Sequence, residues 1–242
     1  MAVFTLQQFS VSQDRSAMKV CTDSLVFGAM APVKPGIRVL DIGCGNGLLS
    51  LIAAQLGANA VCAVEIEPGA YLDAASNFSR SPWPDKLTAV QADIRIFAAD
   101  HGQRYDLIIS NPPFFQNQLS SRDLAKSLAW HADSLSCAEL TSIAHRLLKP
   151  DGRFYVLVAA ASMQTWLLGA RQAGFHAGKQ TGLRGFAHVE PSVYALTFSL
   201  KPEPTLHERL TVFAAPGVYS PHSRRYLEDF LPRFAADNQA QQ

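Results

Sequence analysis

The apolar run Arg38-Val39-Leu40-Asp41-Ile42 meets an amphipathic stretch, Leu48 to Leu56, across a turn holding three glycines, Gly43-Cys44-Gly45-Asn46-Gly47. A buried strand running into a helix over such a turn lets the backbone reverse sharply and approach a ligand closely. Leu48, Leu51, Ile52 and Leu56 fall on one helical face. The same alternation continues down the chain. Strands are expected at Ala60 to Ile66, Leu87 to Ala92, Asp106 to Ser110 and Phe154 to Ala159, with helices at Gly69 to Arg80 and over most of 120–148. Ser81-Pro82-Trp83-Pro84 breaks the chain, and Lys149-Pro150-Asp151-Gly152 reads as a turn. A helix at Gln164 to Ala173 and a glycine-rich stretch, Gly174 to Gly185, precede a strand at Ser192 to Leu200, and Leu210 to Phe213 suggests one more. Strands alternating with helices imply an α/β fold whose mostly parallel sheet is covered on both faces. Ligands of such sheets sit at the carboxyl ends of the strands, where the strand order reverses.

Composition sets limits. With 242 residues, 48% hydrophobic and 17% charged, the chain suits a globular domain with a sizeable core and is too apolar for disorder. No apolar run reaches the roughly 18–20 residues of a membrane span. The opening Met1 to Thr5 lacks a basic segment followed by an apolar core, so a cytoplasmic location is expected. Cys21, Cys44, Cys62 and Cys137 form no C-x-x-C pair or zinc-ligand cluster, so isolated thiols and no metal are expected. Net charge is +1, and residues 151–242 carry only 9 Lys and Arg against 7 Asp and Glu. Charge alone therefore gives no sign of a nucleic-acid partner.

Two motifs carry chemistry. The glycines are spaced G-x-G-x-G, not the G-x-G-x-x-G of dinucleotide enzymes. Asp41 opens this loop, and Glu65 ends the next strand, where a carboxylate can accept ribose hydroxyls. Asp93 ends the third strand, where it can accept the adenine amino group of a nucleoside cofactor or cap a helix. The cofactor-binding set is thus Asp41, Gly43, Gly45, Asn46, Gly47, Glu65 with Ile66, and Asp93 with Ile94. The second motif, Asn111-Pro112-Pro113-Phe114, ends the fourth strand. The prolines stiffen the backbone and remove two donors. The Asn111 side-chain oxygen and the Pro112 carbonyl can then face one N–H₂ group. Two acceptors hold its protons and direct the nitrogen lone pair at an electrophile, and Phe114 offers a face to a planar base. The arrangement favours methylation of an amino group.

These motifs resemble the class I methyltransferases that act on exocyclic or amide nitrogens. The opening segment, Phe9-Ser10-Val11-Ser12-Gln13-Asp14-Arg15-Ser16-Ala17-Met18-Lys19-Val20-Cys21-Thr22-Asp23, narrows the resemblance to the bacterial tRNA1(Val) adenine N6-methyltransferases. Ser81-Pro82-Trp83 and the ending, Leu210-Thr211-Val212 through Tyr219-Ser220 to Leu227–Phe230, fit them as well. The resemblance implies a Rossmann-like methyltransferase fold with a mostly parallel seven-stranded sheet. It implies S-adenosylmethionine as cofactor and tRNA as partner, with the adenine 3′ of the anticodon as target. It implies no metal, no membrane and no obligate protein partner. It divides one domain into a cofactor-covering segment, 1–35, a core, 36–200, and a C-terminal extension, 201–242. It places Lys19 and Thr22 near the methionine carboxylate of the cofactor and Asp23 near its amino group; Thr22 or Asp23 also suits a helix N-cap. Asn111 is expected in both the cofactor and the catalytic sets. The chain departs from the family at Trp130 and at His188-Val189-Glu190-Pro191-Ser192, positions where a basic residue is common.

Rival readings share parts of the site. An rRNA guanine N2-methyltransferase would use the same N-P-P-F. A protein-glutamine N5-methyltransferase would carry N-P-P-Y and a separate N-terminal helical domain. A non-catalytic RNA-binding module would have no use for Asp41, Glu65 and Asn111 together. Arg122, Lys126 and His131 follow N-P-P-F on a stretch suited either to a lid or to a solvated helix face. Lys179, Arg184, Arg224 and Arg225 supply the late basicity.

Overall fold

The computed structural model describes residues 2–113 and 135–235. Phe114, Arg122, Lys126, Trp130 and His131 therefore lie outside the described residues, as does the first part of the helix expected over 120–148.

A short hairpin, β1 (Val3–Thr5) and β2 (Ser10–Ser12), leads to α1 (Thr22–Ala29). Then come β3 (Arg38–Ile42), α2 (Leu48–Gln55), β4 (Ala60–Glu65), α3 (Pro68–Ser79), β5 (Leu87–Gln91), α4 (Ile94–Asp100) and β6 (Tyr105–Ser110). After the undescribed stretch follow α5 (Cys137–Leu147), β7 (Leu148–Ala159), α6 (Met163–Gln172), β8 (His176–Arg184), β9 (Val193–Ser199) and β10 (Leu206–Thr211). A second hairpin, β11 (Phe213–Ala215) and β12 (Val218–Tyr219), leads to α7 (Pro221–Leu227). The main sheet has the order β10-β8-β9-β7-β6-β3-β4-β5. All its pairs are parallel except the two made by β9. β3 is flanked by β4 and β6, so the order reverses beside it, where a ligand crevice is expected.

Alternate residues of each central strand face opposite ways, as the pleat requires. Val39, Leu107, Ile109, Tyr155 and Leu157 join one core with residues of α1, α2, α3 and α7. Leu40, Ile108, Phe154, Val156 and Val158 join the other with residues of α4, α5 and α6. In the first core the Phe27 and Tyr155 rings stack at 4.3 Å, and the Tyr155 hydroxyl donates to the Phe27 carbonyl.

Three features depart from the sequence reading. The sheet has eight strands rather than seven, because β10 pairs with β8 along all six of its residues. The glycine-rich stretch Gly174–Gly185 is largely a nine-residue strand, β8. Its glycines are there for close approach: a Cβ on Gly178 would come within 2.2 Å of the Glu203 carboxylate, and one on Gly182 within 2.7 Å of the Pro191 ring. The expected turn at Lys149–Gly152 falls within the span of β7, where the pairing to β6 shifts register between Tyr105 and Leu107.

The two ends of the chain meet. The Gln7 backbone N–H donates to the Phe230 carbonyl at 2.8 Å, and its side-chain amide donates to the carbonyls of Glu228 and Leu231 at 2.6 and 2.9 Å. No helix among the described residues is long and apolar enough to cross a membrane.

Candidate functional site

The carboxyl ends of β3, β4, β5 and β6 bring Asp41, Glu65, Asp93 and Asn111 to one edge of the sheet. The turn after β3 is anchored by the Gly43 and Cys44 N–H groups, which both donate to the Val64 carbonyl, at 2.9 and 3.2 Å. Gly43, Gly45 and Gly47 all have positive φ, at 70°, 56° and 83°. Above Gly43 and Gly45 a Cβ would meet nothing within 4 Å, so their backbone faces open space. Gly47 serves packing instead: a Cβ there would lie 2.5 Å from the Phe78 ring.

Asp41 is fully buried. Ser50 Oγ donates to its Oδ2 at 2.6 Å, while its Oδ1 is buried with no partner. Burial, and then the nearby Glu65 charge, push its carboxyl up to about 7 against the Ser50 hydrogen bond. Glu65 is buried and oriented by two backbone donors, Gly45 N–H at 2.8 Å and Glu67 N–H at 2.9 Å. A carboxylate offers about four lone pairs, so Glu65 keeps acceptors for two further hydroxyls. Ile66 beside it is exposed and offers an apolar face.

Other members of the expected set have structural duties. Asn46 is buried; its Oδ1 accepts from the Leu48 N–H at 3.2 Å, at the start of α2. Asp93 caps α4 through the Arg95 N–H at 2.8 Å and holds the Arg95 guanidinium at 2.6 to 3.0 Å. That hydrogen-bonded guanidinium holds the Asp93 carboxyl below the usual range. Ile94 is buried in the core that holds Val64 and Ala98.

At the end of β6, Ser110 Oγ donates to the Ile42 carbonyl at 2.9 Å, tying this strand end to the glycine turn. Asn111 follows, and its Oδ1 is buried with no partner among the described residues. An unpartnered buried acceptor costs on the order of 1–3 kcal/mol, which a bound donor would recover. Pro112 is half-buried and Pro113 exposed.

The N-terminal segment forms one wall. Lys19 Nζ donates to the carbonyls of Gln13 and Ser16, and the Val20 N–H donates to Gln13 Oε1 at 2.7 Å. The ammonium head of Lys19 thus closes its own loop. Cys21, rather than Thr22 or Asp23, caps α1, with its N–H donating to Ser24 Oγ. Thr22 opens the helix half-buried. Asp23 lies in the first turn with no partner among the described residues, and burial raises its carboxyl above the usual value.

The sequence reading passed over the residues that hold this wall. On α3, Asp73 and Asn77 are buried at core positions alongside Ala70, Ala74 and Phe78. Asp73 Oδ2 accepts from the N–H groups of Arg15 and Ser16 and from Ser16 Oγ, at 2.8 to 2.9 Å. Asn77 exchanges hydrogen bonds with the backbone of Ser12 in both directions, at 2.8 and 2.9 Å, and donates to the Asn46 carbonyl at 2.9 Å. One amide therefore links the N-terminal segment to the glycine turn. The available signal was periodic: counted from Ala70, Asp73 and Asn77 take the i+3 and i+7 places of a helix stripe whose other members, Ala74 at i+4 and Phe78 at i+8, are apolar.

Several features fit S-adenosylmethionine. The open glycine backbone admits a nucleoside, and Glu65 has lone pairs left for ribose. The carboxyl groups of Asp41, Glu65 and Asp93 lie at the sheet edge where a cationic cofactor would lie. Asp41 and Asn111 each present an oxygen without a partner. Cys44 is buried, and burial raises its thiol well above the usual value, so it offers no ready nucleophile. Among the described residues, no group of three or more His, Cys, Asp or Glu could hold a metal ion.

Residues 16–168 match the family model of the methyltransferase small domain. The chain is 38% identical over 229 residues to a tRNA1(Val) (adenine(37)-N6)-methyltransferase of Yersinia pestis (strain Pestoides F), covering 94% of this chain and 92% of that one. Among solved structures it is similar to a ribosomal protein L11 methylase from Lactobacillus delbrueckii subsp. bulgaricus, with a TM-score of 0.52 and 20% identity over 74% of this chain and 78% of that one. It is also similar to a precorrin 8W decarboxylase of Methanobacterium thermoautotrophicum, with a TM-score of 0.55 and 17% identity over 81% and 98% of the two chains.

Proposed function

The chain belongs to the tRNA1(Val) adenine N6-methyltransferases, within the methyltransferase small domain family, and from that premise we propose that it methylates the exocyclic N6 of adenine 37 in tRNA1(Val). S-adenosylmethionine supplies the electrophilic sulfonium methyl group. Glu65 holds ribose through the lone pairs that Gly45 and Glu67 leave free, and the backbone of Gly43 and Gly45 borders the cofactor. Asp23, with Lys19 and Thr22 around it, meets the methionine end. Asp93 meets the cofactor's adenine. The work takes place in the cytoplasm, where tRNA is modified.

The buried, unpartnered Oδ1 of Asn111 carries the catalytic assignment. The target adenine leaves its stack to reach the sheet edge. Asn111 Oδ1 and the Pro112 carbonyl accept the two protons of its amino group. Neither proline has an N–H to compete for those acceptors. The conjugated amino nitrogen is thereby made more pyramidal, with its lone pair directed at the methyl carbon. Phe114, the last residue of the motif, is the candidate stacking partner for the base. Catalysis is positioning and polarisation, with no covalent enzyme intermediate. The methylated nitrogen starts cationic and acidic, so its proton passes to water along the same two acceptors.

The Asn111→Ala variant, with binding and transfer measured separately, tests this. Cofactor affinity should stay within a few-fold of wild type while the rate of transfer falls by about 10²–10³, as when one transition-state contact is removed. Full transfer by this variant would refute the role of Asn111. Nucleoside analysis of the labelled RNA should give N6-methyladenosine; N2-methylguanosine would favour the guanine enzyme instead.

A further inference from the structure

A structured RNA extends well beyond the adenine it presents. β7 and β8 are both antiparallel to β9, and β10 runs parallel to β8. Arg184 and Thr211 therefore lie at the same edge of the sheet as Gly45 and Asn111. With strands about 4.8 Å apart, the ends of β8 and β10 stand roughly 14 and 19 Å from the end of β6. The hairpin β11–β12 and α7 continue from there. The N-terminus of α7 is held at this edge by the hydroxyls of Ser220 and Ser223, which donate to the Thr211 and Val212 carbonyls at 2.5 and 2.6 Å.

The basic residues of this flank divide into two sets. Lys179 pairs with Glu208 at 2.8 Å, Arg209 with Glu190 at 3.3 Å and Arg224 with Glu228 at 3.8 Å. Arg184, Arg225 and Arg233 have no carboxylate partner among the described residues, and neutral groups hold them instead. Arg184 Nε donates to Thr211 Oγ1 at 2.9 Å. Arg225 lies 4.9 Å over the Tyr226 ring and donates to its hydroxyl at 3.1 Å, with His222 Nε2 at 2.9 Å. Arg233 lies 5.4 Å over the Tyr219 ring and donates to the Gly217 carbonyl at 3.1 Å. Phe213 and Phe234 in turn flank Tyr219, at 5.0 and 5.9 Å between ring centroids.

A guanidinium laid over a ring keeps its charge and its N–H edges, is weakly hydrated and loses little side-chain entropy when it binds. Its planar fork matches two oxygens of a phosphate. We propose that Arg184, Arg225 and Arg233 form the docking surface for the phosphate backbone of the RNA whose adenine enters at Asn111. Arg184, at the end of β8 roughly 14 Å from the end of β6, then meets backbone beyond the target nucleotide, and Arg225 and Arg233 follow it along the chain. They read no sequence; they fix orientation. The assignment rests on the RNA-methyltransferase reading above.

The test measures tRNA affinity over a salt series for wild type, for the single exchanges Arg225→Gln and Arg233→Gln, and for the triple exchange with Arg184→Gln. The single exchanges are at exposed positions, so the result does not hang on the folding of the triple variant. Each exchange should lower the slope of log affinity against log salt by about 0.9, and the triple variant should bind at least tenfold more weakly at low salt. Cofactor affinity and methylation of a short single-stranded oligoribonucleotide should be unchanged. Wild-type slope and affinity in the single and triple variants would overturn the docking surface while leaving the methyltransferase reading intact. A wild-type protein that methylates protein but no RNA would overturn that reading and the surface with it.

Discussion

Replacing Asn77 by alanine should damage the fold and the cofactor site together. Asn77 is 1% exposed and makes four hydrogen bonds: two with the Ser12 backbone, one to the Asn46 carbonyl and one from Arg80. The Arg80 bond is solvent-exposed at its donor and contributes little. Each of the others contributes about 1 kcal/mol, and the buried Asn46 carbonyl loses its partner outright. The sum is about 3 kcal/mol of stability. For a domain of this size that lowers the melting temperature by about 6–12 °C. Roughly one bond's share falls on the glycine turn itself, so cofactor affinity should drop about fivefold. Thermal unfolding and titration calorimetry with S-adenosylmethionine measure both. Asn77→Asp sharpens the test. It keeps the acceptor for Ser12 and Arg80 but turns a carboxylate oxygen toward two carbonyls, so it should be no better than alanine. Unchanged melting and unchanged cofactor affinity in the alanine variant, or wild-type behaviour in the aspartate variant, would refute the linkage.

Glu65→Ala removes the acceptor of the Gly45 and Glu67 N–H groups and the proposed ribose contact; calorimetry should show cofactor binding weakened at least about 30-fold, since hydrogen bonds to a charged group contribute about 2 kcal/mol. Unchanged binding would reject the ribose assignment. Asp41 gives a pH signature. Its carboxyl is raised from 3.8 to about 7 in the folded protein, so the folded state holds this proton more tightly than the unfolded one. That contribution is full below pH 3.8 and is lost as pH rises through 7. Over that window the cofactor-free protein should lose stability on the order of 4 kcal/mol relative to Asp41→Asn. Urea unfolding at pH 5 and pH 8 should read about 3 kcal/mol of this, the part that lies above pH 5, and equal pH slopes for the two proteins would contradict it.

The central strands were legible because they are short apolar runs bounded by glycine, proline or acidic residues, and burial on both faces leaves no other use for such runs. The placement of the glycine turn, Glu65 and Asn111 at strand ends was legible because each directly follows or closes a short apolar run. β8 was not. Its glycines lower strand propensity, and the reason for them, Glu203 and Pro191 packed close above, lies in tertiary contact. Asp73 and Asn77 were hidden differently. Their partners are mostly backbone atoms of residues 12–16 and 46, which no side-chain pattern reports. Asn46 and Asp93 show the opposite effect, since a residue placed by its motif at a ligand also has a cap to make.

Gln7 binds the backbone at residues 228, 230 and 231, joining positions more than two hundred residues apart. During synthesis the chain emerges from its N-terminus at about 5–20 residues per second. The hairpin that precedes the cofactor wall therefore waits some ten seconds or more for its last anchor. A ribosome-bound chain can already hold β3 to β6 and the glycine turn, but one edge of its pocket stays unpinned until α7 is released. Chains truncated before residue 228 should accordingly keep a sheet yet lack a closed site, which couples the onset of binding to synthesis of the segment around residues 228–231.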